Sequence, residues 1–255
     1  MSYSVLGLLT EILWRDDLQI LRDGFEFVKD QVYLKILIDK EKADYNINPS
    51  KKSDYYLVIE IKNNEIEWWE IMEDVLLSLQ LSKNSTIFLE SIHFKTPFEP
   101  RWVRPQLDPP NIPFKQALNL EDLLFSKDLL PHIRKLNQDN HGSMKIACDR
   151  YSRIETSKFV GDQLIDACIA YEALFFEGEQ TGGNRGMAIA VACSMLIGTS
   201  LKDRNKIKEI IITGFDLRNK IMHGRNFSTD KMIQTNHSFC EYLRLSLVKL
   251  LRQIE

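Results

Sequence analysis

The length, composition and charge of the chain limit the class of protein it can be. Its 255 residues are 44% hydrophobic and 27% charged, which is typical of an ordinary soluble globular protein with one large domain or two smaller ones. The formal net charge of −3 excludes a basic field over the whole chain, so any binding of nucleic acid has to be local.

The beginning of the chain and its cysteines predict a cytoplasmic protein without a membrane segment. No positively charged region precedes the first apolar run, and Glu11 interrupts that run, so we predict no signal peptide. No run approaches the roughly 18 apolar residues of a membrane span. The four cysteines are widely spaced and lack a C-x-x-C pair, which predicts reduced, buried thiols rather than a disulfide framework or a zinc site.

Residues 1–112 are predicted to form an N-terminal α+β module. The runs 32–38 and 55–61 are rich in β-branched and aromatic residues and alternate in part, which predicts strands. The run 85–94 is strand-like as well. Segment 65–81 begins like a strand but continues with apolar residues at helical spacing, so its class stays open at this point.

Residues 113–255 are predicted to form an all-α bundle of four to five antiparallel helices. Six prolines lie between Pro97 and Pro113, and since proline removes a backbone donor and is excluded from helix interiors, we place the domain boundary there. Behind the prolines, apolar residues recur at helical spacing, and short connections imply antiparallel neighbours. The predicted helices cover 115–137 with an interruption at Pro131, then 144–176, 183–198, 202–224 and 228–255.

Polar residues lie on the apolar faces of these predicted helices. The apolar side of helix 144–176 is predicted to contain Phe159, Ile165, Cys168, Ile169 and Phe175. Glu172 shares that side, Arg218 shares a face with apolar neighbours, and Arg185 opens the helix between them. A buried carboxylate is costly unless it is paired. One interpretation is therefore an internal ion pair of Glu172 with Arg185 or Arg218 that sets the helix register.

The stretch "FDLRNKIMHG", residues 215–224, brings an arginine, an amide and a histidine to one helix end. Asn219 and His223 are four residues apart and share a face, whereas Arg218 and His223 lie about 140° apart around the helix. One helix therefore does not aim both at a single point unless the arginine bends round or a second copy contributes. Gly224 predicts where the helix stops. The histidine suits acid–base chemistry near an anion, but a purely structural histidine gives the same pattern.

Three stretches together resemble the ApeA-like branch of the HEPN superfamily (higher eukaryotes and prokaryotes nucleotide-binding domains). "RNKIMHG" is similar to the superfamily's arginine–polar–x-x-x–histidine signature, and "LIDACIAYEALFF" resembles the "ALEALF" helix of the branch. "NRGMAIAVACSML" resembles the helix that follows, with its leading arginine. Order and spacing match over about residues 140–225. Two positions depart from the pattern: Tyr171 stands where leucine is usual, and Phe215 where tyrosine is common.

The resemblance implies a dimeric bundle that cuts RNA without a metal or other cofactor, at a site shared by two copies. Arg218 would stabilise the charge on the scissile phosphate, and Asn219 would orient the histidine or the phosphate. His223 would handle protons at the ribose 2′-hydroxyl or the leaving 5′-oxygen, so that a 2′,3′-cyclic phosphate forms. The supporting residues would be Glu172, Arg185 and Asp216. Of these, Glu172 would position Arg218 or Arg185.

Local charge adds a candidate RNA-binding strip. Between residues 202 and 231 there are eight Lys or Arg and four acidic residues, an excess that either faces RNA, through Lys220 and Arg225, or forms a solvated helix surface. By family analogy, the chain would act in anti-phage defence or as a toxin, with the N-terminal module sensing a trigger.

Two alternatives stay open beside the nuclease interpretation. One is a non-catalytic RNA-binding or scaffold bundle, in which the arginine and histidine serve structure or assembly. The other is a toxin silenced by an antitoxin partner of the nucleotidyltransferase type. In that variant a tyrosine follows the histidine by two positions, where this chain has Arg225.

Overall fold

The structure, a computed structural model, describes a set of separate stretches of the chain. These are residues 3–9, 25–28, 32–36, 55–61, 68–83, 89–95, 101–102, 119–138, 142–157, 159–176, 185–226 and 228–254. The chain divides into two compact units, Met1–Leu130 and Pro131–Glu255. The predicted boundary at residues 112 and 113 lies outside the described residues, so the two-domain division at that point stays a prediction.

In the first unit, the described strands form one antiparallel sheet with the order β2-β3-β4-β1-β5-β6. The strands are β1 (Tyr3–Leu9), β2 (Phe25–Val28), β3 (Val32–Ile36), β4 (Tyr55–Ile61), β5 (Leu89–Lys95) and β6 (Arg101–Trp102). Tyr33 of β3 lies opposite Val58 of β4. On β2, Phe25 and Phe27 are both buried, as alternation along a strand requires, and their ring centroids are 5.0 Å apart.

Segment 65–81, whose class the sequence left open, is helical from Trp68, where helix α1 (Trp68–Ser82) begins. Met72, Val75 and Leu79 are buried, which is the three- and four-residue spacing of a helix face. The buried Ser78 Oγ lies 2.6 Å from Ser126 Oγ, so the two hydroxyls satisfy each other in the interior of this unit. That the sheet and α1 form an independent α+β module stays a prediction.

From residue 119 onward the described residues are mostly helical, with no strand among them, which confirms the helical character predicted for this part. The helices are α2 (Leu120–Gln138), α3 (Gly142–Thr156), α4 (Val160–Phe175), α5 (Arg185–Ile197), α6 (Leu201–Met222) and α7 (Thr229–Leu251). Among the helices described, none combines the length and the apolar character that crossing a bilayer requires.

Two helix predictions are wrong in detail. The predicted single helix 144–176 is a pair, α3 and α4, that breaks around Ser157. There the Gln163 side chain donates to the Ser157 carbonyl over 3.0 Å, so a side chain satisfies a backbone group at the break. The predicted interruption at Pro131 is absent, and α2 continues through it. Pro131 is exposed, where water can take the place of the missing amide.

The core of the second unit is built around Tyr171, which is fully buried. Its ring centroid lies 4.8 Å from that of Phe239, and its hydroxyl donates to the Phe239 carbonyl over 2.8 Å. On α6, an added Cβ at Gly214 would come within 2.5 Å of the Phe239 ring, so glycine allows α6 and α7 to approach closely. The four cysteines are free and buried, as predicted.

Candidate active site at the end of helix α6

The end of α6 is a well-formed helix stop. His223 is the C-cap, with φ −101° and ψ 10°, and Gly224 follows with φ +62°, a left-handed conformation that glycine adopts without strain. The Gly224 N–H donates to Ile221 O over 3.1 Å, and the Arg225 N–H donates to Lys220 O over 2.8 Å. This pair of bonds is the Schellman motif, and it confirms the predicted stop at Gly224.

Near the end of α6, the side chains of Arg218 and Asn219 are joined by a hydrogen bond. The Arg218 Nη1 donates to Asn219 Oδ1 over 3.2 Å. The Arg218 Nε is buried and has no hydrogen-bond partner among the described residues. A buried donor without a partner costs about 1–3 kcal/mol, and more when the group is charged. The guanidinium therefore keeps one unsatisfied donor in the free protein.

The charges of Glu172 and Arg218 both affect the pKa of Cys168 on α4. Its thiol is buried, and burial raises its pKa to about 12, while the Arg218 charge lowers that pKa and the Glu172 charge raises it. Both charged groups therefore lie near the same thiol. Yet among the residues that the structure describes, no ion pair joins Glu172 to Arg218 or Arg185. The internal ion pair inferred from the sequence is absent in this conformation.

Contacts between α4 and α6 show that the two helices run antiparallel. A Cβ at Gly161 would lie 3.9 Å from the Ile221 side chain, and the ring centroids of Tyr171 and Phe215 are 6.4 Å apart. The start of α4 therefore packs beside the end of α6. His223, two residues beyond Ile221, lies at this end of the bundle.

Arg185 lies at the other end of α4. It is the first residue of α5, and its guanidinium carbon is 5.0 Å from the ring centroid of Phe176, the C-cap of α4. Gly161 and Phe176 are 15 residues apart, or roughly 22 Å along a helix. Within one copy, Arg218, Asn219 and His223 lie near the end of α6, which packs beside the start of α4, whereas Arg185 lies by the end of α4.

The polar side chains around the end of α6 face outward. The exposed ones are Asp216, Asn219, Lys220, His223 and Arg225, while Arg218 and Glu172 are half-buried. The His223 ring makes no hydrogen bond or ion pair with the described part of the chain. Lys220 and Arg225 are accessible, as an RNA-binding strip requires, and their contact with RNA stays a prediction.

Phe159 is a residue of this region that sequence reasoning misplaced. It was predicted on the apolar side of a continuous helix, but it is the N-cap of α4 and 70% exposed. The prediction is wrong because the apolar periodicity runs on across the break between α3 and α4. The signal that could have shown it is the weak helix-forming sequence "TSKFVG" from Thr156 to Gly161, which contains threonine, serine and glycine.

No protein-family model, curated protein or solved structure matches this chain. The resemblance to the HEPN superfamily and the residue roles that it implies stay predictions. In the described stretches, no three His, Cys, Asp or Glu side chains form a group that could hold a metal ion.

Proposed function

We propose that this chain is a metal-independent endoribonuclease of HEPN type that acts as a homodimer. The observation that supports this most strongly is the arrangement of Arg218, Asn219 and His223 at the exposed end of α6. The arginine is held by the amide over 3.2 Å and keeps a buried donor without a partner, and the histidine ring is exposed. These groups can meet an anion and move a proton beside it.

The chemistry needs only the RNA and these side chains. The ribose 2′-oxygen attacks the adjacent phosphorus, the bond to the 5′-oxygen breaks, and a 2′,3′-cyclic phosphate and a free 5′-hydroxyl result. The arginine stabilises the extra negative charge on the phosphoryl oxygens as it develops. One imidazole takes the 2′-hydroxyl proton, and another gives a proton to the leaving oxygen.

Two imidazoles imply two copies, because one chain supplies one histidine in this motif. Arg218 and His223 also lie about 140° apart around one helix, so a partner copy completes the site more readily than one copy alone. Glu172 adds a negative charge in the neighbourhood of Cys168 and Arg218, which favours an inward position of the guanidinium. Asp216 shares the exposed face with Lys220, four residues on, and supports its position.

The rest of the chain suits a regulated enzyme. We place the N-terminal strands and α1 in an α+β module that responds to a trigger or to an antitoxin or other regulatory partner, in anti-phage defence or a toxin-like role. The four free, buried cysteines support a cytoplasmic location. These assignments rest on the resemblance and on the predicted domain division.

The test is cleavage of RNA by the purified chain in EDTA. We expect cleavage by the native protein and its loss in Arg218→Ala and in His223→Ala, with unchanged folding and assembly. Lys145→Ala, which removes an exposed cation from α3 and lies outside the candidate RNA-binding strip, is the matched control and should cleave normally. Cleavage that survives both motif substitutions would show that the activity lies elsewhere.

A second candidate is the non-catalytic scaffold or RNA-binding bundle. On α5, Met187, Val191 and Met195 are spaced four residues apart and are 44%, 45% and 58% exposed. Such an apolar stripe on one helix face favours assembly with another chain. If the native chain binds RNA but does not cleave it in EDTA, the result would support this candidate.

A further inference from the structure

Phe159 has an exposure that folding does not explain. It is 70% exposed, and as the N-cap of α4 it makes no side-chain capping hydrogen bond. Ser, Thr, Asp or Asn at an N-cap stabilises a helix by about 1 kcal/mol, and phenylalanine forgoes that contribution. The residue therefore serves neither the core nor the cap.

Its position places it beside the proposed active site. Gly161, two residues after Phe159, packs against Ile221, two residues before His223, with 3.9 Å between the added Cβ position and the isoleucine side chain. Because α4 and α6 run antiparallel, Phe159 and His223 both lie beyond this contact, at the same end of the bundle. Both side chains are exposed there.

The charges around this end suit a nucleotide. The described charged residues on these helix ends are the cations Arg218, Lys220 and Arg225 and the acids Asp162 and Asp216. A nucleotide consists of a base, which can stack on an aromatic ring, and a sugar phosphate, whose charge attracts cations. An aromatic ring beside cations can therefore bind both parts. The other large apolar side chain described as exposed on these helix ends is Met222, and two apolar side chains are far from the roughly 800 Å² per partner of a stable protein interface.

We propose that Phe159 is a stacking subsite for one unpaired base of the RNA. This inference rests on the proposed nuclease function and adds a substrate-binding residue to it. In a duplex, each base is already stacked and paired, so its face is not available to a protein side chain. An unpaired base next to the scissile phosphate stacks on the Phe159 ring while the phosphate meets Arg218.

The test uses the full chain with His223→Ala, which should bind RNA without cutting it. Fluorescence anisotropy measures the Kd for a labelled, unstructured 12-nucleotide RNA and for its duplex, with and without Phe159→Ala. We expect Phe159→Ala to weaken single-strand binding roughly 5- to 100-fold and to leave duplex binding almost unchanged. Phe159→Trp should keep the affinity. Leu201→Ala, at an exposed apolar residue at the start of α6, is the matched control and should have no effect.

A second readout uses the active protein. With His223 present, Phe159→Ala should raise KM for single-stranded RNA and leave kcat nearly unchanged, because stacking contributes equally to the ground state and the transition state. Phe159→Trp should restore the native KM. A fall in kcat alone, or no recovery with tryptophan, would contradict a stacking role.

The outcomes separate this inference from the proposed function. If the native chain cleaves RNA but Phe159→Ala binds single strands as the parent does, the stacking subsite is wrong and the nuclease proposal stands. If Phe159→Ala turns a dimer into a monomer in light scattering, the ring belongs to an interface between copies and the subsite is also wrong. If no variant binds or cleaves RNA, both proposals are wrong.

Discussion

Tyr171 and Phe215 lie next to each other in the core of the helical unit, with ring centroids 6.4 Å apart. These are the two positions at which the sequence departs from the pattern of the HEPN branch it resembles, with leucine usual at the first and tyrosine common at the second. The phenolic hydroxyl of this aromatic cluster is thus on α4 instead of α6. It donates to the Phe239 carbonyl over 2.8 Å, so it acts in packing α4 against α7.

Removal of that hydroxyl should destabilise the fold. Tyr171→Phe loses one buried hydrogen bond, and we expect the free energy of unfolding to fall by about 1 kcal/mol in urea denaturation. Tyr242→Phe, at a half-buried tyrosine on α7, is the control and should change it by less than about 0.5 kcal/mol. Equal effects of the two substitutions would contradict a specific role for the Tyr171 hydroxyl.

Two glycines should respond in opposite ways to alanine. At Gly214 the new Cβ would lie 2.5 Å from the Phe239 ring, and overpacking of this kind costs about 1–3 kcal/mol, which outweighs the better helix propensity of alanine. At Gly161 the nearest side-chain atoms are 3.9 Å away, which is an ordinary contact. Thermal unfolding should therefore show a lower Tm for Gly214→Ala and an equal or higher Tm for Gly161→Ala. The reverse order would show that the packing of α6 on α7 differs from this description.

Stability should fall at high pH because of buried thiols. Burial raises the pKa of Cys168 from 9.0 to about 12 and that of Cys193 to about 11. Since these folded-state values lie above those of the unfolded chain, the folded protein binds the protons more tightly. Their stabilising contribution is complete below about pH 9 and is lost as pH rises towards 11 and 12.

The measurement is urea denaturation at about pH 8.5 and about pH 10.5. We expect a loss on the order of 2 kcal/mol per thiol over this interval. Cys168→Ala should be less stable at the lower pH but should lose less stability on the way to the higher one. An unchanged pH dependence in this variant would show that Cys168 does not titrate as described.

The link between Asn219 and Arg218 should matter for cleavage and hardly for folding. Asn219→Ala frees the Arg218 Nη1 that now donates over 3.2 Å, so the guanidinium is less well positioned on the phosphate. Because Asn219 is exposed, its removal should change the free energy of unfolding by less than about 0.5 kcal/mol.

We expect kcat to fall about tenfold in Asn219→Ala, with little change in KM. Asn205→Ala removes an exposed amide from the first part of the same helix and should cleave RNA at the native rate. A native rate in both variants would remove Asn219 from the site.

A site shared by two copies predicts how much activity remains when native and inactive chains are mixed. If one competent site needs His223 from both copies, an equilibrated equimolar mixture of native chain and His223→Ala should keep about a quarter of the native activity. Independent sites would keep about half. Mixing the native chain with Lys145→Ala in place of the histidine variant controls for dilution and subunit exchange.

Local interactions explain the part of the fold that could be predicted. The helical character after residue 119 follows from apolar residues at helical spacing, and the stop at Gly224 follows from the left-handed conformation that glycine adopts easily. The sharing of a helix end by Arg218, Asn219 and His223 needs only the rise and turn of one helix. The buried, free state of the cysteines followed from their wide spacing and the lack of a C-x-x-C pair.

Features that depend on how the helices pack together could not be predicted from local interactions. Apolar periodicity continued through Phe159. Only the break between α3 and α4 exposed that ring, and only the packing of Gly161 on Ile221 placed it at the same end of the bundle as His223. In the same way, the sequence left open which charged group Arg185 meets, and the structure places it over Phe176 at the end of α4. The sequence by itself determined which residues share a helix, because helical hydrogen bonds join residues four apart. The tertiary structure decided which helix faces are covered and which helix ends lie together, because burial depends on partners distant in the chain.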